Sequence, residues 1–261
     1  MKIYYWKLFF SLCYVLVSLV AGSWFRDDKR RQNQTLNDRP IIGILATDTP
    51  SDWDAATGKT YISANYVKYL EQAGARVVPI RGGQPEEYYS RMVNWTNGAL
   101  IPGGAANVAT SLIGRSARLM YDAALKLNKE QDYYPLWGTC WGFQMLCYLI
   151  QGENLLQPTD SANVSWPLIF TPGKNFPFYG VQWHPEKPSF NWNPSYSINH
   201  GLDAIRVGQY MANFFVNEAR KSSHRFPSLQ SEATSLIDNY KRTYFSDGTF
   251  EEVYYIDPKD S

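Results

Sequence analysis

Apolar positions along the chain come in two rhythms that alternate. Ile41 to Ala46, within "RPIIGILAT", is apolar at consecutive positions, as expected of a central strand covered on both faces. After a polar loop, Ala64, Val67, Leu70 and Ala73 recur at helical spacing, and Gly74 is a natural stop. "ARVVPI" predicts a second strand, "PEEYYSRMVNW" a helix with one apolar side, and "GALIPGG" a strand closed by a glycine turn. Ile113, Ala117, Met120, Ala124 and Leu127 then mark a helix lying on a sheet. "YYPLWG" and "WGFQMLCYLIQG" continue with another strand and helix. Strand and helix alternating in this way imply right-handed crossovers and a mostly parallel sheet with helices on both sides. The expected fold class is α/β, a three-layer sandwich.

The second half reads differently. Residues 152–183 carry Pro158, Pro167, Pro172 and Pro177 and show no helical period. "FYGVQW", residues 178–183, alternates like a short strand and ends at His184. Residues 204–220 predict an amphipathic helix with Ile205, Met211, Phe214 and Phe215 on or near one side. The chain is polar from Pro227, and a last strand fits "FEEVYYIDPKDS".

The first residues stand apart. Lys2 and Lys7 precede an apolar run from Leu8 to Val20, and Ala21, Gly22 and Ser23 follow. A basic start, a short apolar run and a small-residue exit read as a secretory signal peptide over residues 1–22. The run is shorter than the ~20 residues of a membrane span, and an uncleaved anchor is the alternative. Residues 23–38 are polar and charged and are expected to form a flexible mature N-terminus. Acceptor sequons at Asn33, Asn94 and Asn163 fit the secretory route.

Composition narrows the function classes. Aromatics make up 16%, charged residues 19%, and the net charge is +1. So even a balance gives no electrostatic footprint for nucleic acid, and the aromatic load argues for a packed core. Once the signal has gone, Cys140 and Cys147 remain. On one helix their Cα atoms would stand roughly 10 Å apart, beyond disulfide reach. The scattered histidines and cysteines show no metal-ligand spacing, and no cofactor is called for.

Candidate chemistry centres on Gly138-Thr139-Cys140-Trp141-Gly142. Strand, then Gly-x-Cys-x-Gly, then helix is the layout of a nucleophile elbow, where flanking glycines let strand and helix approach without Cβ clashes. The helix N-terminus favours a thiolate, and the Trp141 amide would be one oxyanion donor. The alternative for Cys140 is a small buried hydrophobe, which is the reading given to Cys147. His184 at a strand end would serve as base and then as acid. Glu186, two residues on, would fix its tautomer; a structural histidine is the alternative. His200 and His224 have no carboxylate at comparable spacing. Gly103-Gly104 after the strand "GALI" offers a second oxyanion donor or a plain tight turn.

The order Gly-Gly turn, cysteine elbow, His-x-Glu resembles the class I glutamine amidotransferase-like fold. "RPIIGIL", "YVKYLEQAGARVVPI", "IPGG", "WGTCWGF", "YGVQWHPEK" and "FFVNEAR" are similar to the gamma-glutamyl hydrolase (folate gamma-glutamyl hydrolase) family over roughly residues 39–170 and 177–226. The resemblance implies a secreted or lysosomal cysteine hydrolase cleaving gamma-glutamyl bonds of folate polyglutamates. Cys140 would be its nucleophile, His184 its acid-base partner, and Glu186 would hold the third position. Gly104 and Trp141 would supply the oxyanion hole, and Tyr66 would lie beside the substrate. It implies a catalytic domain over 39–226, with 227–261 a C-terminal extension packing on it. No membrane partner is expected after signal cleavage, and a homodimer stays open.

One departure separates this chain from that family. The stretch between the elbow helix and His184 is several dozen residues shorter, and the family's further site-lining histidine has no counterpart. Part of the usual central region is therefore expected to be missing, with sheet edges uncovered. Three readings follow: an active hydrolase, a catalytically impaired shortened form, or a glutaminase-type amidotransferase subunit. Gln144 in "WGFQ" fits the last.

Overall fold

The computed structural model describes residues 36–51, 53, 58–154, 156–157, 176–244 and 252–258. The expected signal peptide, Asn33 and Asn163 lie outside the described residues, as does most of the expected flexible N-terminus.

Strand β1 (Ile41–Leu45) is followed by the two-residue β2 (Thr47–Asp48), β3 (Gly58–Ser63), helix α1 (Ala64–Glu71) and β4 (Arg76–Ile80). Next come α2 (Glu86–Trp95), β5 (Gly98–Ile101), α3 (Leu112–Lys129), β6 (Leu136–Thr139) and α4 (Trp141–Gln151). The second half adds β7 (Phe178–Val181), α5 (Lys187–Phe190), α6 (Leu202–Ala219), α7 (Leu229–Ser235), β8 (Arg242–Tyr244) and β9 (Glu252–Pro258).

The central sheet has five strands in the order β4-β1-β5-β6-β7, all parallel. Alternation along β1 explains why it is apolar throughout: Ile41 and Leu45 face one core, and Ile42 and Ile44 the other. The first core takes side chains from α2, α3 and α4, including Met92, Ile113, Met120 and Met145. The second takes them from α1 and α6, including Val67, Leu70, Met211 and Phe215. Trp137 on β6 is fully buried in this second layer, its ring 5.5 Å from that of Phe215. The order leaves β7 at one edge of the sheet.

A second sheet was not anticipated from the pattern. Its order is β2-β3-β9-β8, with antiparallel pairing. The stretch taken as a polar loop before α1 contains β3, whose partner β9 comes from the far end of the chain. The described residues from 227 onward, 227–244 and 252–258, are thereby bound into the fold. Ile237 and Ile256 are buried in the second core, Lys68 pairs with Glu252 on β9, and Arg76 pairs with Glu232 on α7.

Candidate active site

Three adjacent strand ends make the site. At their C-terminal edge β5 runs into Pro102-Gly103-Gly104, β6 into Cys140, and β7 into Gln182 and His184. Edges of this kind are where open α/β sheets gather their ligands.

Cys140 is half-buried and has φ 54° and ψ −108°. A side chain at positive φ is held there only when its surroundings over-determine the backbone, and here they do. The Cys140 amide donates to Val181 O at 2.8 Å, extending the β6–β7 ladder by one rung. The Gly142 amide donates to Pro102 O at 3.1 Å, and the Gln144 amide to Cys140 O at 3.0 Å. The elbow glycines are needed for contact rather than for dihedral freedom. A Cβ on Gly142 would sit 2.0 Å from Ile101 O, and one on Gly138 2.5 Å from Gly142 O. Both obstacles are backbone atoms. Gly142→Ala is therefore expected to destabilise the fold by about 3 kcal/mol. Urea unfolding measures this, and a midpoint equal to wild type would contradict it.

His184 Nδ1 donates to Glu186 Oε1 at 2.6 Å, and Glu186 is buried. The other nitrogen of the ring is left for the sulfur, and the ring and the Cys140 side chain both border the close-packed Gly103. Burial pushes the Cys140 thiol up, but His184 and the Trp141 amide pull harder, and the net shift is downward. Burial pulls the His184 imidazole down, yet the Glu186 carboxylate and the bonds to Cys140 and Glu186 outweigh it and hold it at about 9. Each group shifts in the direction that favours a thiolate–imidazolium pair.

Tyr66 is buried beneath this pair. Its hydroxyl accepts from the Gly103 amide at 2.8 Å and lies 3.3 Å from His184 Nδ1. Burial, with Glu186 and Cys140 nearby, keeps the phenol neutral by raising it well above its ordinary value. Gly103 is the close-approach residue of the turn: a Cβ there would meet His184 Cε1 at 2.6 Å and Tyr66 Oη at 2.9 Å. Because Tyr66 takes the Gly103 amide, the exposed Gly104 is the turn's candidate oxyanion donor, opposite Trp141. The Trp141 indole donates to Ala106 O at 2.6 Å and fastens the following loop.

The Peptidase C26 family model matches residues 40–165. The gamma-glutamyl hydrolase of Bos taurus is 35% identical over 286 aligned positions, covering 84% of this chain and 90% of the relative. That of Homo sapiens is 33% identical, covering 94% and 98%. Gamma-glutamyl hydrolase B of Dictyostelium discoideum is 31% identical, covering 84% of each.

The chain belongs to the gamma-glutamyl hydrolase family. Its α/β sheet is consistent with the amidotransferase-like fold of that family. The alignment with the bovine hydrolase is longer than the part of this chain it takes in, so several dozen positions of the relative have no residue here.

Other expected site residues fall elsewhere. Asn94 is exposed in the last turn of α2, while the hydroxyl of its sequon partner Thr96 is buried against Met92 O and Tyr134. His224 lacked a carboxylate at short spacing, but the fold supplies one: its Nε2 lies 2.8 Å from Asp132 Oδ1. Its Nδ1 faces Val93 O at 2.9 Å and Thr96 O at 3.1 Å, and the ring stacks on Tyr134. This is a tie between α2, the loop before β6 and the end of α6. His200 stacks on Trp192 and bonds Pro188 O. Neither Cys140 nor Cys147 is in a disulfide, and Cys147 is buried in α4.

One functional side chain escaped the sequence reading. Gln182 Nε2 lies 3.7 Å from Cys140 Sγ, and Gln182 Oε1 accepts from Gln144 Nε2 at 3.1 Å. Register is the signal that would have found it. Thr139 pairs with Val181, so the residue that follows β7 stands opposite the cysteine that follows β6.

Proposed function

We propose that the protein is a cysteine hydrolase that cleaves gamma-glutamyl bonds, with folate poly-gamma-glutamates as its substrates. The observation that carries this is Cys140 on a strained elbow with the His184–Glu186 pair beside it at Gly103, in a chain of the gamma-glutamyl hydrolase family.

The chemistry follows from the geometry. The Cys140 thiolate attacks the gamma-carbonyl carbon, and the carbonyl electron pair moves to oxygen, where the Gly104 and Trp141 amides receive it. The C–N bond then breaks, and the departing amine takes the proton from His184. A thioester remains. Water adds to it, giving its proton to the now neutral imidazole, and the C–S bond breaks. The gamma-carboxylate leaves, and the thiolate–imidazolium pair is restored. Glu186 holds the ring in one tautomer throughout.

The glutaminase alternative is not favoured, since the relatives compared above are all named gamma-glutamyl hydrolases. The impaired-form alternative is met by the assay itself. Purified protein should release glutamate or glutamyl peptides from a p-aminobenzoyl chain with gamma linkages and leave the alpha-linked isomer intact, as read by chromatography. Faster cleavage when the chain carries a pteridine supports the folate assignment. A cooperatively melting protein that leaves the gamma-linked chain uncut would overturn the reading.

A secretory destination, extracellular or lysosomal, belongs to the same proposal. Its support is the basic-apolar-small pattern of residues 1–22 and the sequons at Asn33, Asn94 and Asn163. Secreted material whose first residue lies beyond Gly22 and whose mass falls on glycosidase treatment is the expected result. An intact Met1 on the exported protein would count against it.

A further inference from the structure

Gln182 reaches the nucleophile from a side that the reaction scheme above leaves unused. Its Nε2 is 3.7 Å from Cys140 Sγ, a hydrogen-bond distance for sulfur. Its Oε1 is taken by Gln144 Nε2 at 3.1 Å. The second contact fixes the first: with its oxygen committed, the amide turns its NH2 to the sulfur, and an NH2 group donates and cannot accept. The S–H of a thiol finds no acceptor in such a partner, whereas a thiolate accepts from it.

Both ends of the relay are anchored on the elbow. Gln182 stands opposite Cys140 because β6 and β7 pair in register up to Thr139 and Val181. The Gln144 amide donates to Cys140 O at 3.0 Å. The groups facing the sulfur are then His184 and the Trp141 amide as donors, with Glu186 and Tyr66 acting against the anion. Gln182 adds a neutral donor from a third direction, where another cation would compete with the imidazolium.

We propose that Gln182 is a catalytic residue of this hydrolase: its amide, aimed by Gln144, donates to the Cys140 sulfur whenever that sulfur is anionic, before attack and again as it leaves the acyl-enzyme. The proposal rests on reading Cys140 as the nucleophile. It makes Gln144 a positioning residue that acts through Gln182.

The test reads the sulfur directly. Alkylation of Cys140 by iodoacetamide is followed across pH by mass spectrometry of its peptide, for the full mature chain and for Gln182→Leu, Gln182→Glu and Gln144→Leu. In Gln182→Leu the pH midpoint should rise by about one unit, with gamma-glutamyl turnover at neutral pH falling about tenfold. Gln182→Glu, which keeps the shape and reverses the polarity, should shift it further, and Gln144→Leu less. A Gln182→Leu midpoint equal to wild type overturns the proposal. Should that variant fail to melt cooperatively, Gln182→Met, unbranched and similar in size, takes its place with the same two outcomes. Alkylation does not depend on turnover. A wild-type protein that never cleaves the gamma-linked chain would sink the functional reading, and the midpoint shift would still decide Gln182.

Discussion

Cys140→Ala should lower gamma-glutamyl turnover by a factor on the order of 10⁶, the scale on which losing a nucleophile is felt, while the protein still melts cooperatively. The size follows from the absence of a substitute. Cys147 is buried in α4, and the donors around the sulfur can only assist an attack that something else makes. The fold should survive because alanine keeps the Cβ and the backbone stays fastened through Val181 O, Pro102 O and the first bond of α4. Product chromatography against the wild-type protein is the measurement. Turnover within tenfold of wild type would remove Cys140 from the mechanism.

Glu186→Gln should be the next most severe change, with a loss on the order of 10⁴. Glutamine keeps an oxygen for His184 Nδ1 but carries no charge. The imidazolium is held at about 9 chiefly by Glu186, so it is present below that pH and lost as pH rises through it. Without the carboxylate it is lost at lower pH, and the alkaline limb of the pH–rate profile should move toward neutrality. Stability obeys the same sign. A histidine raised from 6.5 to about 9 on folding stabilises the native state most fully below 6.5 and loses that contribution as pH climbs to about 9. Wild type should therefore exceed the variant most in acid, and the gap should close in alkali. An unmoved alkaline limb would detach Glu186 from the histidine.

The parts of the site that were legible in sequence are those carried by short spacing. Gly138, Cys140 and Gly142 announce a strand-to-helix elbow because the clash each glycine avoids is only a few residues away along the chain. His184 and Glu186 announce themselves because two residues separate ring and carboxylate. Alternating runs sufficed for the parallel sheet, since each of its strands is covered on both faces. Contacts made across the fold were not legible. β3 looks like a polar loop because what makes it a strand is β9, almost 200 residues later. Asp132 finds His224 only once α6 has returned across the sheet. Tyr66 is off the simple apolar stripe of α1, and it is buried because the turn at Gly103 and the ring of His184 close over it. Gln182 belongs to the same class: its partner is a register neighbour on another strand.

The positive φ of Cys140 bears on how such a chain can change over time. A non-glycine residue in that conformation costs on the order of 1–3 kcal/mol, a sizeable share of the roughly 5–15 kcal/mol by which domains are stable. Folding alone would be best served by glycine at residue 140, and that change would erase the enzyme. Selection for robustness and selection for turnover thus pull in opposite directions at one codon. A lineage released from the need for hydrolysis would be expected to drift toward the more comfortable backbone there first.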